Sequence, residues 1–465
     1  MIRTPAITTQ APAVRFATGR YSESGLGRLK RSPAKVLRGG RHQGVLTILA
    51  AAFLAATFLD GVHLLQLPFA ENPANVLGTL LALVFISTRI PGGRLWAGPG
   101  RFFWVFIVVT AVLEVGRLFA DSQGVGVSSL RSYAQYAQTF LLYLIFFDLC
   151  RSARTVKMLA ITFVVSTILM SLIANLGLGG LVGASALSRS SELERVGVLG
   201  MNLNQQGFLY AAAVTGVTCW SIARWPRPGV WGWALMAGAA SMVLALLRTG
   251  SRGGLLVLVA GLAVALMLTF RSRRWSAYIL LVPVALYGIG HAVMSSELIQ
   301  TRLEQAMYQG RLGARDVLAR EGGIMFLERP VTGWGCVAYT EELGERVGRD
   351  RIASHNTYLQ IALSFGFMGF LPWLLGVGAT VNRLWKYRTH FWGTLMLAVL
   401  IALLVAAVPG NFGYNKYFWM ILAVAGAMPL DPPTTGGRLG SRVRGALKQP
   451  ASLANQASSQ HGRCL

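Results

Sequence analysis

The sequence predicts an all-α polytopic membrane protein of about twelve transmembrane helices, with one long extracytoplasmic loop that carries amphipathic helices. Three observations predict it. Apolar residues make up 54% of the 465 and charged residues only 13%, a balance outside the range of ordinary soluble domains. Apolar runs of about 17 to 24 residues recur along the chain, the length a helix needs to cross roughly 30 Å of hydrocarbon at about 1.5 Å per residue. The charges between these runs obey one consistent threading through a bilayer.

The apolar runs fall near 44–62, 74–90, 102–120, 130–149, 156–176, 204–223, 229–247, 253–270, 275–294, 356–378, 391–409 and 414–430. The second and the last are short and suit tilted or re-entrant segments. With the N-terminus in the cytoplasm, alternate polar segments hold 28 of the 43 basic residues and three acids, Glu23, Asp148 and Asp431. The opposite side holds 15 of each and is neutral. The net charge of +25 is therefore topological, not a signature of nucleic-acid binding, and both termini are expected in the cytoplasm. No early apolar core marks a cleavable signal peptide, so the first helix is expected to direct its own insertion. The four cysteines are scattered, Cys336 alone on the outside, and no cluster suggests a metal.

These features divide the chain into a disordered basic tail (1–43), a bundle of nine helices (44–295), an extracytoplasmic loop (296–354), three further helices (355–430) and a second disordered basic tail (431–465). Within the long loop, Leu298 to Tyr308 and Ala314 to Leu327 read as amphipathic helices, the second apolar at Val317, Leu318, Ile324, Met325 and Leu327. Arg329-Pro330 ends it, and Val331 to Gly335 is turn chemistry.

Four polar constellations gather on the outer side. Arg248-Thr249-Gly250-Ser251-Arg252 joins two apolar helices where topology does not favour arginine; its forked donors suit a phosphate or diphosphate, or snorkel to lipid headgroups. Arg315 shares a helix with Arg311 and Arg320 and with interleaved Asp316, Glu321 and Glu328, a pattern equally that of a solvated face. His355 stands at the entrance of an apolar helix between Ser354 and Asn356, either of which can cap it. A neutral imidazole there can serve as a general base near neutral pH or simply bond a loop carbonyl. Asn202-Leu203-Asn204 opens another helix with amides suited to sugar hydroxyls or to capping. Asp60/His63 and Glu114/Arg117, three apart, can neutralise each other on a helix. No DxD, Walker A, HExxH or GxSxG sequence is present.

Taken together, the arginine hairpin, the loop helix and the histidine resemble the O-antigen ligase family, which includes polysaccharide polymerases and protein O-oligosaccharyltransferases. The resemblance covers roughly Gly197 to Leu375. Its most specific part is Ser354-His355-Asn356-Thr357-Tyr358-Leu359-Gln360 with Gly366 and Gly369 beyond. Arg315 running on to Pro330 and Gly333-Trp334-Gly335 is similar to the family's arginine helix and Pro-x-x-G-x-G turn. Leu203 replaces the usual proline of an Asn-Pro-Asn element, and Leu318 stands where tryptophan is frequent. The resemblance implies a GT-C-like fold and metal-independent, cofactor-free glycan transfer from a polyprenyl diphosphate carrier to a glycan or lipid-linked acceptor. It assigns His355 and Arg315 to catalysis, Arg248 and Arg252 to the diphosphate, and Asn202, Asn204 and Asn356 to the glycan. A polymerase of the same family and a secondary transporter are the alternatives; the latter requires paired carboxylates at the midplane.

Overall fold

The computed structural model describes residues 33–59, 72–88, 98–120, 125–178, 187–190, 195–198, 201–224, 229–269 and 315–429, with Gly290, Met294 and Gln300. Almost all of the run at 275–294 and of the helix expected at Leu298–Tyr308, together with the Asp60/His63 pair, Arg311 and the C-terminal tail, lie outside the described residues. The chain divides into two units, Met1–Gln43 and Gly44–Leu465.

Thirteen helices run through the described residues: α1 (Pro33–Thr57), α2 (Pro73–Thr88), α3 (Gly100–Ala120), α4 (Val125–Leu149), α5 (Ala153–Leu176), α6 (Leu203–Arg224), α7 (Gly229–Thr249), α8 (Arg252–Thr269), α9 (Arg315–Glu328), α10 (Ala338–Arg346), α11 (Thr357–Lys386), α12 (Phe391–Ala406) and α13 (Lys416–Ala427). Among the described residues, α3, α5, α7 and α11 are long and apolar enough to cross a membrane; five shorter apolar helices lie in α1, α2, α8, α12 and α13. Helix α1 begins at Pro33, inside the segment expected to be a disordered tail, with proline at the first helical position where its missing N–H costs nothing. The rest of the described secondary structure is a two-stranded antiparallel ribbon, β1 (Leu187–Ser190) with β2 (Arg195–Val198), Leu187 opposite Val198 and Ser190 opposite Arg195. Segments of four residues cannot nucleate a helix, and a ribbon lets them satisfy each other's backbone groups.

Aromatic interdigitation builds the core. Phe103 and Phe106 of α3, Tyr136 and Tyr143 of α4, Phe365 of α11 and Trp419 of α13 are buried and meet edge to face or stacked, with ring centroids 5.0–6.4 Å apart. In lipid, where apolar side chains gain little by leaving the solvent, such fit holds helices together, and small residues let backbones approach. Gly254 of α8 rests on the backbone of Gly207 in α6, and Gly261 abuts Thr215 and Ala402.

Candidate active site

Residues 351–357 deliver the histidine. Ile352 N donates to Thr340 O at 3.0 Å, which ties the approach to α10. The Asn356 side chain then caps α11, accepting from the N–H groups of Tyr358 (3.0 Å) and Leu359 (3.1 Å), while Ser354 Oγ donates to Asn356 O. Of the two capping residues the sequence allowed, Asn356 does the work. His355 has φ of +49°, the one positive φ on a non-glycine residue among those described. Such a backbone costs of order 1–3 kcal/mol and persists where its surroundings hold it. The ring is exposed at the surface, yet enough protein surrounds it that burial first, and then the Arg315 charge, hold its pKa below the usual histidine value. The charge of Arg315 on α9 thus acts on His355, and both causes favour the neutral imidazole.

Helix α9 is seated on α11 through Gly322, where a methyl group would meet Leu359 and Leu363. Leu318 and Met325 bury on the same side, whereas Val317, Ile324 and Leu327, expected in the apolar face, are exposed. The following turn enters α11 itself. Gly366 adopts φ 60°, ψ −162°, a conformation open essentially to glycine alone, and breaks the helix. The turn satisfies the freed backbone groups: Trp334 N bonds Leu363 O (2.7 Å), Gly335 N bonds Ser364 O (3.0 Å), Phe367 N bonds Pro330 O (2.7 Å) and Met368 N bonds Val331 O (3.1 Å). Irregular backbone is tolerated here because the turn supplies the partners the helix lacks.

A pair noted only as self-neutralising fastens this turn to α3. Arg117 bonds Glu114 and also the carbonyls of Thr332 and Gly333, and Glu114, 1% exposed, accepts from Cys336 N at 3.2 Å. Helix α10, which the sequence reading missed, packs Tyr339 and Leu343 inward at i, i+4, the only periodic signal it offered. Its Arg346 is bidentate to Glu328, so that acid of α9 serves structure.

The arginine hairpin lies against the start of α6. Ser251 Oγ accepts from Gly254 N at 3.1 Å and caps α8, which leaves Arg252 at the first helical position, where a cation is unfavourable by about 0.3–1 kcal/mol. Arg248 donates through Nη1 to the carbonyls of Ala174 (3.3 Å) and Asn175 (2.9 Å), a cation at the C-terminus of α5, and is otherwise exposed. Asn202 caps α6 through Asn204 N at 2.9 Å. Capping therefore accounts for the side-chain oxygens of Asn202 and Asn356.

One loop, Ala407–Gly413 between α12 and α13, supports both clusters. Thr357, at the start of α11, donates through Oγ1 to Gly410 O (2.7 Å), accepts from Phe412 N (2.8 Å) and bonds Ala407 O through its own N (2.8 Å). A methyl on Gly253 of α8 would meet Phe208 of α6 and Pro409 of the loop, and Phe208 meets Phe412 with centroids 5.2 Å apart. The N-termini of α6, α8 and α11 thus gather on one loop, and three positive helix ends with Arg252 and Arg315 nearby form a field suited to an anion.

No curated protein matches the chain. Residues 237–374 match the family model described as O-antigen ligase, a stretch that runs from α7 through Arg248, Arg252, Arg315 and His355 into α11. Over that stretch the chain is similar to the O-antigen ligase family.

Proposed function

We propose that the chain transfers a glycan from a polyprenyl-diphosphate-linked donor to an acceptor hydroxyl at the outer face of the bacterial inner membrane. The observation that carries this reading is the gathering of three helix N-termini, two arginines and a neutral histidine around one loop. The acceptor oxygen forms a bond to the anomeric carbon as the bond from that carbon to the phosphate oxygen breaks. His355 takes the acceptor proton or orients the hydroxyl. The leaving diphosphate gains negative charge, which Arg315 and Arg252 stabilise, with Arg248 at the rim. Stabilisation of charge that appears only as the bond breaks speeds the reaction, whereas equal binding of the ground state does not. The proposal includes about twelve spans in a GT-C-like arrangement, with both termini cytoplasmic, so that the site faces outward.

The test is incubation of the purified full chain with radiolabelled lipid-linked oligosaccharide and two acceptors, a lipid A core and a second lipid-linked glycan. Label moving to the first marks a ligase, and to the second a polymerase. His355→Ala and Arg315→Ala are expected to lose transfer by at least about 100-fold while remaining in the membrane. Full transfer by either variant sinks the assignment.

A further inference from the structure

We propose that a cavity beside α11 is a subsite for one neutral sugar ring of the transferred or accepting glycan, a reading that rests on glycan transfer at His355. The cavity holds about 180 Å³ and is lined by Gln135 and Tyr136 of α4, Thr340 of α10, Arg351, Gln360 of α11 and Tyr414. That is far more than the ~10–15 Å³ one water needs and below the ~300–1,000 Å³ of drug-sized pockets, so it suits a single ring.

The chemistry of the walls selects a polyol. Tyr414, which is exposed and meets the buried Tyr136 edge to face at 5.8 Å, offers an apolar ring to the C–H side of a pyranose. Two amides, a hydroxyl and the phenols supply donors and acceptors for its oxygens. The one cation in the wall, Arg351, is paired with Glu341, so the cavity offers no unopposed charge for a diphosphate.

A second observation points to a ligand. Tyr136 is 2% exposed, and its hydroxyl completes no hydrogen bond. Ser364 lies near enough to influence it but the pair does not reach hydrogen-bonding geometry, and the Ser364 hydroxyl is buried and unpartnered too. Buried hydroxyls are normally satisfied, and one kept without a partner is explained by a ligand that supplies one. The cavity also lies where a glycan would pass. Gln360 follows the start of α11 by three residues, about 4.5 Å of helix rise, on a different flank from the Leu359/Leu363 side that meets α9. The diphosphate is thus held by the arginines, and a sugar ring is read on the neighbouring flank.

Cys336 borders the cavity and reports on it. The full chain is treated with methyl methanethiosulfonate, and modification of the Cys336 peptide is timed by mass spectrometry. Three conditions are compared: no addition, oligosaccharide released from its lipid diphosphate by mild acid, and inorganic pyrophosphate. Released oligosaccharide is expected to slow modification in the wild type, and Tyr136→Phe to reduce that protection roughly fivefold, the worth of one hydrogen bond. Gln360→Ala is expected to behave likewise. Tyr136→Phe removes only an unpartnered hydroxyl, so its melting temperature should equal or exceed the wild type, which separates lost binding from misfolding. Protection by pyrophosphate alone, no protection by oligosaccharide, or protection unchanged in both variants overturns the subsite. A wild type that transfers no glycan, or a His355→Ala variant that still does, overturns the catalytic reading instead.

Discussion

His355 combines a left-handed backbone with an imidazole kept neutral by burial and by Arg315. The left-handed turn is strain that only its surroundings can hold, here the cap at Asn356 and the bond from Ile352 to Thr340. A titration should show the neutrality directly. Histidine-selective NMR of the full chain is expected to give a pKa for His355 below 6.5, and Arg315→Gln should move it up by removing the second cause of the shift. The acid limb of transfer should track the wild-type value. The sign for stability follows: with the folded pKa below the unfolded one, the unfolded chain binds the proton first as pH falls. The stability this residue contributes is therefore present above about pH 6.5 and declines as pH drops through the window between the two values. Asn356 and Asn202 teach a different lesson at this scale. Both looked like sugar ligands and like caps in the sequence, and the hydrogen bonds of their oxygens go to helix N–H groups.

Helix α11 is two helices in one span, broken at Gly366 and mended by the turn after α9. A methyl on Gly366 would overlap Val331 O, and its φ/ψ region excludes other residues. Gly366→Ala is expected to lower the stability of the detergent-solubilised protein by about 3 kcal/mol or to prevent its recovery, read as a drop in melting temperature. Thr357→Val is a subtler probe of the same helix. It removes a donor and an acceptor that clasp the loop at 407–413, leaves Phe412 N and Gly410 O unpaired, and should cost about 2–3 kcal/mol. Because that loop also carries the ends of α6 and α8, transfer should fall in Thr357→Val even where the protein remains folded. The resemblance had marked Gly366 and Gly333-Trp334-Gly335 as separate motifs. Their interlocking was invisible because it depends on two backbones meeting without a side chain between them.

For the molecule as a whole, Glu114 and Arg117 join α3 to the turn that mends α11. Glu114→Ala leaves a guanidinium and the Cys336 N–H without their carboxylate, and is expected to cost about 3 kcal/mol, with Arg117→Ala on top adding little; a double-mutant cycle on melting temperature measures the coupling. The topology has its own test. Reporters fused at both termini should read cytoplasmic, and one placed after residue 121 should read outside. An outside reading at either terminus removes the outward-facing site. Composition was enough to predict a helical chain with helices long and apolar enough to cross a membrane, because apolar run length acts locally and leaves a one-dimensional record. Sequence patterning likewise placed α9 within a residue of its ends. Tertiary structure alone decided that Arg315 stands beside His355, that Arg248 spends donors on the carbonyls of α5, that α6, α8 and α11 start on one loop, and that a polar cavity opens beside Gln360. Each of these depends on contacts between residues far apart in the chain, where van der Waals fit and backbone hydrogen bonding choose the neighbour and no periodicity records the choice.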